Sequence, residues 1–163
     1  MSLVELMVTI TIISSIAAMI IPATQGDDLL QARSAATVLR SDIELTQIMT
    51  MTNPSDPMVI QFNEIGTQYW IASAASPETP VSLNSTSDAY LMTIGEGRLA
   101  AANGVTIDAA SLPDSRLSFD MNGAVFPPMS KSVITLHCGN DWIQLDVAPM
   151  TGSITDLVGV TSP

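Results

Sequence analysis

Glu5 stands at the edge of residues 6–26, a run without a charged side chain that is mostly Ile, Val, Met, Leu and Ala. Such a run is long enough for a helix to cross roughly 30 Å of hydrocarbon, and a carboxylate beside it is costly. What Glu5 can do there is pair with a cation, and the nearest in kind is an α-amino group, that of Met1 or of a neighbouring chain. Other reactive residues offer less. His137 is the only histidine and Cys138 the only cysteine. Neighbours on a strand face opposite sides, so the two make neither a dyad nor a metal pair, and His137 reads as a structural histidine. Asp120-Met121-Asn122-Gly123 has the outline of a calcium loop but lacks the further ligands and terminal Glu. Its Asn-Gly pair reads instead as a hairpin turn. Asn84-Ser85-Thr86 fits the glycosylation sequon in an exposed loop, a pattern frequent by chance. No phosphate-binding loop, nucleophile elbow, dinucleotide fingerprint or zinc spacing occurs. The chain is therefore not expected to be an enzyme, and no cofactor or metal is implied.

The elements that must carry these residues follow from the hydrophobic period. After Asp27 and Asp28, Leu29, Ala32, Ala36, Leu39 and Ile43 recur three and four apart, the spacing of one helical face. Ala35, Val38, Leu45 and Met49 widen that stripe, while Arg33, Arg40 and Glu44 lie off it. The reading is one long helix from Ser2 or Leu3 to about Thr50, interrupted near Pro22. At about 1.5 Å per residue it would measure roughly 70 Å, so its first half must project from the globular part. Pro22 cannot donate to the carbonyl of Ala18, at a cost of about 3 kcal/mol in a regular helix. Either the helix kinks there, or residues 14–23 extend when the environment changes.

Beyond Asn53-Pro54-Ser55-Asp56-Pro57 the period changes to two. Residues 58–62, 68–72, 105–107, 117–119, 124–126, 132–137, 142–147 and 154–157 read as strands, and 90–94 is ambiguous. Residues 73–89 are rich in Pro, Ser, Thr and Asn and read as a surface loop. The expected fold class is α+β. An apolar assembly or transmembrane segment, residues 1–26, precedes a globular head, residues 27–163. The amphipathic half of the helix covers one face of an antiparallel sheet.

Net charge bounds the partners. The chain carries −11 with only five basic residues, Arg33, Arg40, Arg98, Arg116 and Lys131, scattered along it. From Asn53 onward three bases face eleven acids, leaving −8. A phosphate backbone needs clustered Lys or Arg, so no nucleic-acid partner is expected. A lone cysteine excludes an intramolecular disulfide. An ordinary signal peptide would have a basic start and a shorter core. A plain membrane anchor would leave Glu5 without a purpose.

Met1-Ser2-Leu3-Val4-Glu5-Leu6, the Ile/Thr/Ala-rich helix after it, and Pro22 resemble the processed N-terminus of type IV pilins and type II secretion pseudopilins. In that family a prepilin peptidase removes a short basic leader and methylates the new first residue. Glu at the fifth mature position and Pro at the twenty-second are its marks, whereas Met1 stands where Phe is usual. No leader precedes Met1, so the chain is similar to the mature form. The motif covers about a seventh of the chain. The strand-rich second half is also similar to H-type pseudopilins and FimT-like proteins, through the hairpin of residues 117–126 and the turn at Thr151-Gly152. The calcium loop of the major pseudopilins is not apparent.

The resemblance implies a structural filament subunit, held in the inner membrane as a precursor by residues 1–26. Pilus assembly machinery would then build it into an extracellular or periplasmic homopolymer, in some relatives a cell-adhesion fimbrium. Met1, Glu5 and Pro22 would be the assembly residues. On docking, Glu5 would meet the α-amino group of Met1 on an adjacent subunit. The Coulomb term is about 4 kcal/mol at about 4 Å and an effective dielectric near 20. Desolvation cancels much of it, so the pair would act mainly as a register device. Two alternatives stand beside this: a minor H-type pseudopilin of a type II secretion system, and a membrane-anchored binding protein that does not polymerise.

Overall fold

The computed structural model describes residues 6–7, 10–11, 27–82, 88–128 and 131–160. The long helix is described as a continuous element from Asp27 to Thr52 (α1). At about 1.5 Å per residue that is about 39 Å. Asp27 and Asp28 occupy its first turn, where acidic side chains complement the helix dipole. It closes with the amide of Asn53 on the carbonyl of Met49, and Pro54 and Pro57 prevent continuation.

Among the described residues nine strands follow: β1 (Met58–Phe62), β2 (Gln68–Ser73), β3 (Leu91–Thr93), β4 (Thr106–Asp108), β5 (Arg116–Phe119), β6 (Val125–Phe126), β7 (Ser132–Cys138), β8 (Asp141–Val147) and β9 (Ile154–Val160). Short 3₁₀ turns at Gly97–Ala102 and Pro113–Ser115 join β3 to β4 and β4 to β5. The strands form two antiparallel sheets, not the one sheet expected. Five strands lie in the order β3-β2-β1-β5-β6, and four in the order β4-β7-β8-β9. The hairpins β1–β2, β7–β8 and β8–β9 are local. The division arises from pairings between distant residues, Ile60 with Leu117 and Ile107 with Leu136. Local periodicity holds no record of these.

α1 packs across both sheets, on β7 and β8 of one and on β1 and β5 of the other. Ala32, Ala35, Ala36, Leu39 and Ile43 are buried on its inner face. Their partners are Ile60, Tyr69, Ile71 and Leu117 from the first sheet and Ile134, Leu136, Ile143 and Leu145 from the second. Alternation along β7 and β8 puts every second residue into this core. The sheets also meet at the β1–β2 turn. The amide of Ile107 in β4 donates to the carbonyl of Gly66 at 2.8 Å. Gly66 sits at φ +75, and a Cβ there would lie 2.2 Å from the Ile107 carbonyl oxygen. Glycine is required on both counts.

Candidate functional site

Met1, Glu5 and Pro22, the residues the sequence nominates for assembly, lie outside the described residues, as does Asn84. Near Glu5, Leu6, Met7, Ile10 and Thr11 are helical, and the first three are 51, 63 and 55 % exposed. The Thr11 hydroxyl donates to the Met7 carbonyl one turn back, a bond that spares the helix an unpaired polar group. Among the described residues no helix is long and apolar enough to cross a membrane.

Within the head, α1 positions every functional side chain that can be placed. The packing residues divide as their spacing requires: Ala32, Ala36, Leu39 and Ile43 are buried and Leu29 is half-buried. The same face carries a carboxylate that the hydrophobic pattern does not announce. Asp42, one residue before Ile43 and three after Leu39, is 1 % exposed. Its Oδ2 accepts the hydroxyl of Tyr69 at 2.7 Å. Its Oδ1 accepts the hydroxyl of Tyr90 at 2.7 Å and Nη1 of Arg98 at 3.1 Å. Arg98 donates to the Tyr90 hydroxyl as well. One carboxylate thereby joins α1 to β2, to the segment before β3 and to the turn Gly97–Ala102.

The electrostatics follow from burial. Burial raises the Tyr69 hydroxyl well above its ordinary value, and the Asp42 charge and hydrogen bond raise it further. Burial, then the hydrogen bond to Asp42, pushes Tyr90 up to about 12. Burial pulls Arg98 down, but Asp42 and Tyr90 more than offset it and leave the guanidinium raised. Both Asp42 oxygens are thus occupied by donors held in the form that donates. The arrangement can clasp; it presents no free base.

One turn further along α1, Gln47 does similar work. Its Nε2 donates to the carbonyl of Gly123 at 2.7 Å and to that of Thr151 at 2.9 Å. Both turns of the second resemblance therefore meet on one side chain. Gly152 allows it: a Cβ at that φ of +66 would lie 2.2 Å from Gln47 Nε2 and 2.5 Å from the Gly123 carbonyl oxygen. The turn at Asp120–Gly123 is locked by its own carboxylate. Asp120 Oδ1 accepts the amides of Asn122 and Ala124 at 2.8 and 2.9 Å. That is the turn chemistry expected of Asp. Thr50 completes the series, with its hydroxyl accepting the Met58 amide at 2.9 Å.

His137 and Cys138 separate as strand alternation demands. His137 is exposed and Cys138 is buried. Burial, then the nearby Asp28 charge, pushes the Cys138 thiol up, which holds it in the less reactive form. Four of the five basic residues are engaged by acids: Arg40 with Glu44 and Asp156, Arg98 with Asp42, Arg116 with Asp114, Lys131 with Asp146 at 3.9 Å. Sequence reasoning missed Asp42 and Gln47. The available signal was position, since both fall on or beside the stripe of Leu39 and Ile43.

Comparison of the chain with protein-family models, with curated proteins and with solved structures finds no match.

Proposed function

We propose that the chain is a structural subunit of a type IV pilus-like filament that polymerises through its apolar N-terminal segment. The observation that carries this reading is Glu5, a carboxylate at the edge of the uncharged residues 6–26. A helix surrounded by lipid or by other helices has no use for that charge unless a partner cation arrives with the next subunit. Two further features support it. In the N-terminal segment, Met7 and Ile10 are 63 and 55 % exposed on helical backbone, as suits a segment that other chains pack against. The head itself is tied to α1 by burial, by Asp42 and by Gln47, so a helix fixed in a filament core would carry the head rigidly with it. In this reading the inner membrane holds the subunit before assembly. A prepilin peptidase and the pilus machinery act on it, and the acidic head keeps the fibre soluble and repels nucleic acid.

A minor H-type pseudopilin is the second reading. One observation favours it: Gly123 and Thr151, from the two turns that carry that similarity, accept hydrogen bonds from one side chain of α1.

The test is Glu5→Ala. The variant should remain in the membrane fraction while filament yield falls. Normal filaments built wholly from the variant would overturn the proposal.

A further inference from the structure

Among the described residues four strand edges bound the two sheets, and they are unlike. β3 and β6 bound the first sheet with three and two residues, and β4 bounds the second with three. β9 bounds the second with seven, all paired in register with β8. An outer edge exposes a row of N–H and C=O groups that templates another strand, so proteins keep edges short or place lysine or proline on them. β9 has neither: it reads Ile-Thr-Asp-Leu-Val-Gly-Val. Its one charge is drawn back over α1, where Arg40 Nη1 lies 3.4 Å from both Asp156 oxygens. Leu157 and Val158 are 48 and 50 % exposed. Among the described residues nothing pairs with the outer edge of β9.

We propose that β9 is a pairing edge for a second copy of this chain, the two strands running antiparallel about a two-fold axis through Leu157. The strand is self-complementary about that point. Leu157 is its middle residue, so the axis matches all seven positions without overhang. Ile154 meets Val160, Thr155 meets Gly159, Asp156 meets Val158, and Leu157 meets its own copy. A closed, isologous contact of this kind is the commonest in homo-oligomers. Charge disfavours one of the two neighbouring registers. The only ionised group opposes valine, although each chain carries −11. Moving the axis by one residue to Asp156 would set two carboxylates face to face, which is destabilising.

The pairing also covers apolar surface. Leu157 lies opposite Gln144 and Val158 opposite Ile143. Directly paired residues share a face, so Leu157 is on the side turned away from α1 and Val158 on the side of the core. In the dimer the two Leu157 side chains meet on the outer face, and one continuous sheet of eight strands runs through both heads. Successive subunits of a polar filament are not related by a two-fold axis. This contact is therefore distinct from the one made by Glu5.

The experiment uses the full chain in detergent, with Cys138→Ser removing the native thiol. Leu157→Cys and Thr155→Cys are each oxidised mildly. The axis brings the Leu157 Cα atoms of the two copies to about 4.5–5.5 Å, within disulfide reach. It leaves the Thr155 positions four residue rises apart, about 13 Å. Leu157→Cys should give a disulfide-linked dimer and Thr155→Cys only background. The same result is expected in a Glu5→Ala background, which separates this contact from filament assembly. By sedimentation the unaltered chain should be dimeric, and Leu157→Arg monomeric yet still cooperatively folded, with an unfolding temperature that no longer depends on protein concentration. Equal cross-linking at the two positions, loss of the cross-link with Glu5→Ala, a monomeric unaltered chain, or a dimer that persists in Leu157→Arg would each overturn the proposal.

Discussion

The two halves of α1 hold the head by different physics. From Leu29 to Ile43 the inner face is aliphatic, with three alanines that let the sheets approach and Leu39 and Ile43 filling the space between them. From Asp42 to Thr50 the inner face is polar: Asp42, Thr46 and Thr50 are each 1 % exposed or less. Gln47 beside them reaches two carbonyls. The first half is non-directional and tolerates any side chain of the right volume. The second is directional and fails when one partner is removed, because the survivors are left buried and unpaired. Removing single side chains from each half exposes that difference.

The largest effect is expected in the aliphatic half. Leu39 is fully buried between both sheets. Leu39→Ala removes that packing and leaves a cavity, at a cost of about 2–5 kcal/mol. Thermal unfolding of the full chain in detergent measures it. A negligible shift would show that the core closes over the gap and that the aliphatic half is not the stronger anchor.

Asp42→Ala comes next. It strands the buried Tyr69 hydroxyl and frees Tyr90 and Arg98. A lost buried partner costs about 1–3 kcal/mol, and the half-exposed Arg98 recovers water, so the total should stay below that of Leu39→Ala. Its signature is local: protease sensitivity and amide exchange should rise in the segment of Tyr90 and Arg98 before the second sheet opens. Uniform loosening of both sheets would mean that the carboxylate is part of the general core and not a clasp.

Gln47→Ala should be milder, about 1 kcal/mol, since carbonyls near the surface recover water more readily than buried hydroxyls. The Asp120–Gly123 and Thr151–Gly152 turns should gain mobility together, because one amide bridges them. If only one turn loosens, the other is held by β6 and β9 alone.

These contrasts also explain what the sequence disclosed. The aliphatic half of α1 was legible because residues three and four apart must share a face. The hairpin at Asn122-Gly123 was legible because turn chemistry is local. Asp42 was hidden because its partners, Tyr69, Tyr90 and Arg98, are 27, 48 and 56 residues away, and a charge on an amphipathic helix ordinarily faces water. The second sheet was hidden for the same reason. Strand periods show which residues alternate, not that Ile60 pairs with Leu117 while Ile107 pairs with Leu136. Strand pattern covers residues 154–157 of the last strand, but the strand runs to Val160 because all seven residues find β8 partners, which overrides the weak strand preference of Gly159.

The smallest effect separates the halves by pH alone. Tyr69 and Tyr90 keep their protons more tightly in the folded chain than in the unfolded one, where tyrosine titrates near 10. Between pH 10 and the folded value, about 12 for Tyr90, the folded state binds more protons than the unfolded state. Stability therefore falls as pH rises through that window, and the contribution of these groups is fully present below pH 10. Tyr90→Phe removes one titrating group and should flatten the alkaline fall. Ile43→Val, in the aliphatic half, should lower stability by about 0.5–1.5 kcal/mol without altering its pH slope. Unfolding temperatures measured from pH 8 to 11 in the two variants decide it. Parallel curves would show that alkaline loosening begins elsewhere, and the polar half of α1 would then be distinguished from the aliphatic half by shape alone.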